Sequence, residues 1–116
     1  MTQKAFSIEI NRANKTMDMM VSGTFTPQDY DNFVKDYAAK TGSIDAKEYT
    51  LVVDCKTMNL LGPSDVEGLS ASFVRYKESG FQKVVFIITQ AQTLIKMQLG
   101  RVARGAGLSN VEVVVE

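Results

Sequence analysis

Histidine is absent from the 116 residues, and cysteine occurs once, at Cys55. A chain without histidine lacks the commonest general base and the commonest metal ligand, so zinc chemistry is not expected. A lone cysteine cannot close an internal disulfide. Strong charge of one sign is missing too: thirteen basic and thirteen acidic residues cancel, and no like-charged run is longer than two. That balance argues against nucleic acid or a membrane surface as partner. No window approaches the roughly 20 apolar residues of a membrane span, and MTQKAFSIEIN holds no apolar stretch of signal-peptide length. The expectation is a cytoplasmic protein with no membrane insertion. There is no G-x-S-x-G elbow, no carboxylate pair in an evident cleft motif and no lysine in a desolvating context. The chain therefore reads as non-enzymatic, with neither cofactor nor metal.

What is present suits one domain over residues 1–116, since 45% hydrophobic residues allow roughly two thirds of the unfolded surface to be buried. Phe6, Ile8 and Ile10 alternate with polar residues, and after the polar turn at Arg12 to Lys15 so do Met17, Met19 and Val21. That pattern predicts a β-hairpin. Pro27 after Thr26 opens a helix, with Tyr30, Phe33, Val34, Tyr37 and Ala38 on one face and Gly42 at its end. Thr41 to Lys47 reads as a short polar surface connection. Thr50 to Cys55 is apolar and β-branched up to Asp54, as in a strand buried on both faces. A second helix follows Ser64, with Val66, Leu69, Phe73 and Tyr76 inward, Asp65, Ser72, Arg75 and Glu78 turned elsewhere, and Gly80 at its C-cap. Lys83 to Thr89 and Val111 to Val115 are further strands, joined by a third helix over roughly Ala91 to Ala106. The order ββαβαβαβ defines an α/β layer with a mixed sheet of about five strands and three helices.

The segment from Tyr49 to Gly68, YTLVVDCKTMNLLGPSDVEG, carries the main functional signal. Ser64 with Glu67 three residues later forms S-x-x-E, a capping box that satisfies backbone N–H groups at a helix start. The same N–H groups and the helix dipole would stabilise a phosphate there, so the geometry suits either a cap or a phosphorylation switch. Asp54 at the strand's carboxyl end has two readings: it faces a ligand or partner beyond the sheet edge, or it accepts loop N–H bonds and shapes the turn. Cys55 reads as a small buried hydrophobe.

The order of elements and this segment resemble the STAS (SpoIIAA-like) domain family of anti-sigma-factor antagonists, over nearly the whole chain. In that family a strand ending in Asp or Asn leads to a loop of roughly D-S-S-G at a helix start, and its second serine accepts phosphate. Counted from Asp54, Ser64 falls in that place. Gly62 and Pro63 stand where Asp and Ser are usual, and Asp65 where Gly is usual. The resemblance implies a regulatory domain whose partner is an anti-sigma-factor or kinase-like protein. It would present the loop from Asn59 to Asp65, with phosphate on Ser64 releasing the partner.

In the third helix Ala91, Ile95, Leu99, Val102 and Ala106 share a face wide enough to cover the sheet. Leu94, Met97, Arg101 and Arg104 collect on the opposite side, with Lys96 nearby. Two apolar side chains among cations suit a protein partner with an acidic, apolar patch, or else a solvated face on which arginine stems cover apolar surface. Gly100, Gly105 and Gly107 lie inside or just after this helix and read as aids to close packing and a helix stop. Two other classes stay open. Met17, Met19, Met20, Met58 and Met97 could line a cavity for a small apolar ligand, although methionines at strand positions also fill core gaps. Edge strands Phe6 to Asn11 or Val111 to Val115 could pair two chains into a homodimer or a larger assembly.

Overall fold

The computed structural model describes residues 6–21, 27–56 and 63–116, except the side chains of residues 27 and 63–66. Strands β1 (Phe6–Asn11) and β2 (Thr16–Val21) form the expected hairpin, followed by α1 (Pro27–Thr41), β3 (Thr50–Asp54), α2 (Pro63–Ser79), β4 (Lys83–Ile88), α3 (Thr93–Ala106) and β5 (Val111–Val115). The Asn11 carboxamide oxygen accepts from Asn14 N at 3.1 Å in the hairpin turn. The turn closes on Lys15, whose φ of 54 is left-handed. The sheet runs β1-β2-β3-β4-β5. Only β1 is antiparallel to its neighbour; β2 through β5 are parallel.

Sequential strand order has a geometric consequence. Each crossover from β2 onward steps the same way across the sheet, and right-handed crossovers then lay every helix on the same face. Burial follows that rule. On the inner face Met17, Leu51, Val84 and Phe86 are 0–1% exposed, and they meet Phe33 and Tyr37 of α1, Phe73 and Tyr76 of α2, and Ile95 and Leu99 of α3 in one cluster. Phe73 stacks on Phe86 with ring centroids 4.9 Å apart, and Tyr37 meets Tyr76 at 5.6 Å. The α2 and α3 helices pack side by side.

The opposite face of the sheet carries no helix among the described residues. Thus Thr50–Asp54 is not buried on both faces: Leu51 and Val53 are buried, whereas Thr50, Val52 and Asp54 are half-buried. The register places Asp18, Val52, Val85 and Glu112 in one row on that open face, with Glu9 beside Asp18, and Met20, Asp54, Ile87 and Val114 in the next.

Smaller departures have similarly local causes. The link after α1 is not purely a surface connection, because Ala46 is buried in a 3-10 turn at Ala46–Glu48 and Ile44 packs on the core. Asp45 Oδ1 accepts from Lys47 N at 3.3 Å to hold that turn. Ser72 does not point away: it is buried, and its hydroxyl donates to the Gly68 carbonyl at 3.1 Å. That bond lets a polar residue sit at the α2–sheet contact without an unmatched group. The third helix starts at Thr93, so Ala91 lies before it and is exposed, and Ala103 joins the buried face. Gly107 ends α3 at φ 78, as a helix stop requires. A Cβ at Gly100 or Gly105 would meet nothing within 4 Å, so close packing within this chain does not require those two glycines.

Candidate functional site

The parallel strands β3 and β4 end at one sheet edge, where α2 and α3 begin. In open α/β sheets ligands and partners gather at such an edge. Asp54 Oδ1 accepts from Lys56 N at 3.0 Å, closing a tight turn as β3 ends. The Lys56 ammonium reaches Glu116 Oε1 at 2.9 Å and Asp54 Oδ2 at 3.9 Å, tying the ends of β3 and β5 together. Hydrogen bonding to Glu116 is the main reason the Lys56 pKa is raised, with the nearby Asp54 charge second. Asp54 thereby shapes the turn, and its side chain lies on the open face of the sheet.

Cys55 points the other way, into the core at 1% exposure. Its backbone N donates to the Ile87 carbonyl at 2.8 Å. Burial, helped by the Asp54 charge, pushes its thiol pKa up to about 12, so it stays protonated and is a poor nucleophile. The buried-hydrophobe reading describes it well.

Gln92, which the sequence reading did not single out, joins the two strand ends. Its side-chain oxygen accepts from Thr89 N at 2.8 Å and its amide donates to the Cys55 carbonyl at 3.0 Å. It occupies the N-cap position of α3 without bonding the helix N–H groups. A glutamine where Ser, Thr, Asp or Asn would normally cap was the available signal.

The backbone of α2 begins at Pro63, so Ser64 and Asp65 fall within its first turn. A Ser64 cap would need the helix to start at Asp65; it starts two residues earlier, with proline at the first helical position. The side chains of Ser64 and Asp65, and Asn59 entirely, lie outside the described residues.

The outer face of α3 is as the spacing predicts. Leu94 and Met97 are 59% and 57% exposed, and Arg101 and Arg104 are exposed with no ion pair among the described residues. The four follow 3-4-3 spacing, which aligns them in one stripe along the helix. Asp54 and this stripe do not converge: one faces the open side of the sheet, the other the outside of the helix layer.

The methionines do not line a common cavity. Met17 and Met19 are 0% and 3% exposed within the core, Met20 is on the open face, Met97 is on the outside of α3, and Met58 lies outside the described residues. A cleft of about 530 Å³ opens elsewhere, at the C-terminal ends of α1 and α2, lined by Val34, Tyr37, Ile44, Lys47, Arg75 and Glu78 among others. Here the Tyr37 hydroxyl lies 2.7 Å from Ser79 Oγ, and burial pushes the Tyr37 pKa up to about 12. At edge strand β1 the Lys40 ammonium donates to the Ile8 carbonyl and pairs with Asp36 at 3.2 Å. A lysine on an edge carbonyl blunts that edge for strand pairing. Among the described residues no helix is long and apolar enough to cross a membrane.

No protein-family model matches this chain, and a search of curated proteins finds no match either.

Proposed function

We propose that this chain is a non-enzymatic, cytoplasmic regulatory domain of the STAS (SpoIIAA-like) kind, which works by binding another protein through the outer face of α3. The observation that carries this reading is the exposure of Leu94 and Met97, 59% and 57%, in line with Arg101 and Arg104. Burying two such apolar side chains under a partner is worth about 3 kcal/mol or more in gross terms, and unpaired guanidinium groups beside them select a partner carrying carboxylates. Among the described residues no ion pair engages either guanidinium.

The regulatory half of the proposal rests on Ser64. At the second position of α2, a phosphate would be held by the free N–H groups and the positive end of the dipole. It would place about two negative charges at the edge where α2 and α3 both begin, close to the docking face. Phosphorylation then weakens binding of an acidic partner by repulsion.

The test is recovery of the tagged full chain from its native cells in four forms. A partner should be retained by the wild type and by Ser64→Ala, and lost from Leu94→Glu/Met97→Glu and from Ser64→Glu. Undiminished partner on Leu94→Glu/Met97→Glu would overturn the docking face. Equal partner on Ser64→Ala and Ser64→Glu would overturn the switch while leaving the face intact.

A further inference from the structure

We infer that the outer face of α3 docks on the open sheet face of a second copy of this chain, so that molecules stack head to tail. The inference rests on reading the α3 face as a docking surface, and it names the surface that face fits.

A largely parallel sheet normally has both faces covered. Here β2 to β5 are parallel, and among the described residues the three α-helices lie on one side and none covers the other. The uncovered side presents Met20, Val52, Val85, Ile87 and Val114, each half-buried by its neighbours alone. What would complete the domain is a helix with an apolar stripe.

The charges specify which helix. Lys83 pairs with Glu112, and Lys56 bridges Asp54 and Glu116, so each of these carboxylates has a cation beside it. Glu9 and Asp18 differ. They stand directly opposite each other across β1 and β2, both exposed, with no cation paired to either among the described residues. Opposed like charges destabilise a hairpin, and two cations from outside would remove the conflict. Arg101 and Arg104 are such a pair, and Leu94 and Met97 adjoin them on the same stripe.

The spacings agree. From the middle of the Leu94–Met97 pair to the middle of the Arg101–Arg104 pair is seven residues, about 10 Å along a helix. From between β1 and β2, where Glu9 and Asp18 sit, to between β3 and β4, where Val52 and Val85 sit, is two strand spacings, also about 10 Å. A helix laid across the strands thus meets carboxylates with its arginines and the apolar row with its leucine and methionine. Gly100 and Gly105, which no contact among the described residues requires, flank the stripe and leave room for the partner's backbone.

The two surfaces lie on opposite sides of the molecule, outside the helix layer and outside the sheet. Their pairing is heterologous and leaves a free surface at each end, so association does not stop at a dimer.

The test uses the full chain in sedimentation or light scattering over a concentration series. Wild type should grow in mean mass past the dimer without a plateau, and high salt should reverse this, because the pairing charges are exposed. Glu9→Lys/Asp18→Lys and Arg101→Glu/Arg104→Glu should each remain monomeric. Mixed together they should associate at least about tenfold more tightly than either alone, because the reversed sheet of one now fits the reversed helix of the other. Both change only exposed side chains, and a thermal melt confirms each fold. A wild type monomeric at every concentration, variants that associate like wild type, or a mixture that fails to recover overturns the stacking. If wild type is monomeric yet Leu94→Glu/Met97→Glu still loses a foreign partner, only the self-docking is overturned; if that variant also keeps the partner, the docking reading falls with it.

Discussion

Replacing Gln92 with leucine severs the side-chain bridge between the ends of β3 and β4 while keeping the residue's bulk. The bonds lost include one from Thr89 N at 2.8 Å and one to the Cys55 carbonyl at 3.0 Å. A fully buried unmatched group costs about 1–3 kcal/mol, but this site is only partly buried and water reaches part of it, so the two losses together come to about 2 kcal/mol. For 116 residues the unfolding entropy at the midpoint is about 0.24 kcal/mol/K, and the loss converts to a fall in Tm of about 8 °C. Gln92→Glu separates the two bonds. Its carboxylate still accepts from Thr89 N but confronts the Cys55 carbonyl with a second acceptor, so at neutral pH it too is destabilised. Protonation restores a donor. The folded-state pKa of this carboxyl is therefore raised, the recovered stability is present below its unfolded value, and it is lost again as pH rises through the folded value. Calorimetric melts of the three proteins at neutral and mildly acidic pH provide the assay. A change in Tm below about 2 °C for Gln92→Leu, or a Gln92→Glu deficit that does not shrink on acidification, would refute the bridging role.

Alkaline pH should unfold the protein by a separate route. Burial raises the pKa of both Tyr37 and Cys55 to about 12, from ordinary values of 10.0 and 9.0, and raises Tyr76 well above its own. These groups keep their protons in the fold and lose them when unfolded, so stability is full below about pH 9 and falls above it, by about 1.4 kcal/mol per pH unit for each group titrating only in the unfolded chain. Denaturant midpoints measured against pH check the slope, and labelling of Cys55 at pH 8 should proceed only as fast as the protein opens. The glycines of α3 should respond with opposite signs in denaturant titrations. Gly107→Ala, forced to φ 78, should lose about 1–2 kcal/mol, whereas Gly100→Ala, with open space for its Cβ, should gain about 0.5–1 kcal/mol.

The local rules read most of this chain well. Alternation fixed the hairpin, proline and glycine marked the starts of α1 and the ends of α2 and α3, and the 3.6-residue period separated Ile95, Leu99 and Val102 from Leu94 and Met97. What those rules miss depends on topology. A β-branched run such as Thr50 to Cys55 is equally apolar whether helices cover one face of the sheet or both, and only the sequential strand order decides that Val52 and Val85 are left uncovered. The carboxylates Glu9, Asp18 and Glu112 all fall on that open face, but only the register shows it. Ser72 was misplaced because a hydroxyl that bonds its own helix can be buried at little cost. Gln92 went unseen because the contact that matters, with the Cys55 carbonyl, is to a backbone atom 37 residues away, just past the end of β3.

The most direct test of the central claim is a photo-reactive amino acid in place of Met97, activated in the native cells. Lys35, exposed on α1, serves as the control position. A docking face at α3 predicts a discrete adduct of defined mass from position 97 and none from position 35. No adduct from position 97, or the same products from both positions, would contradict it.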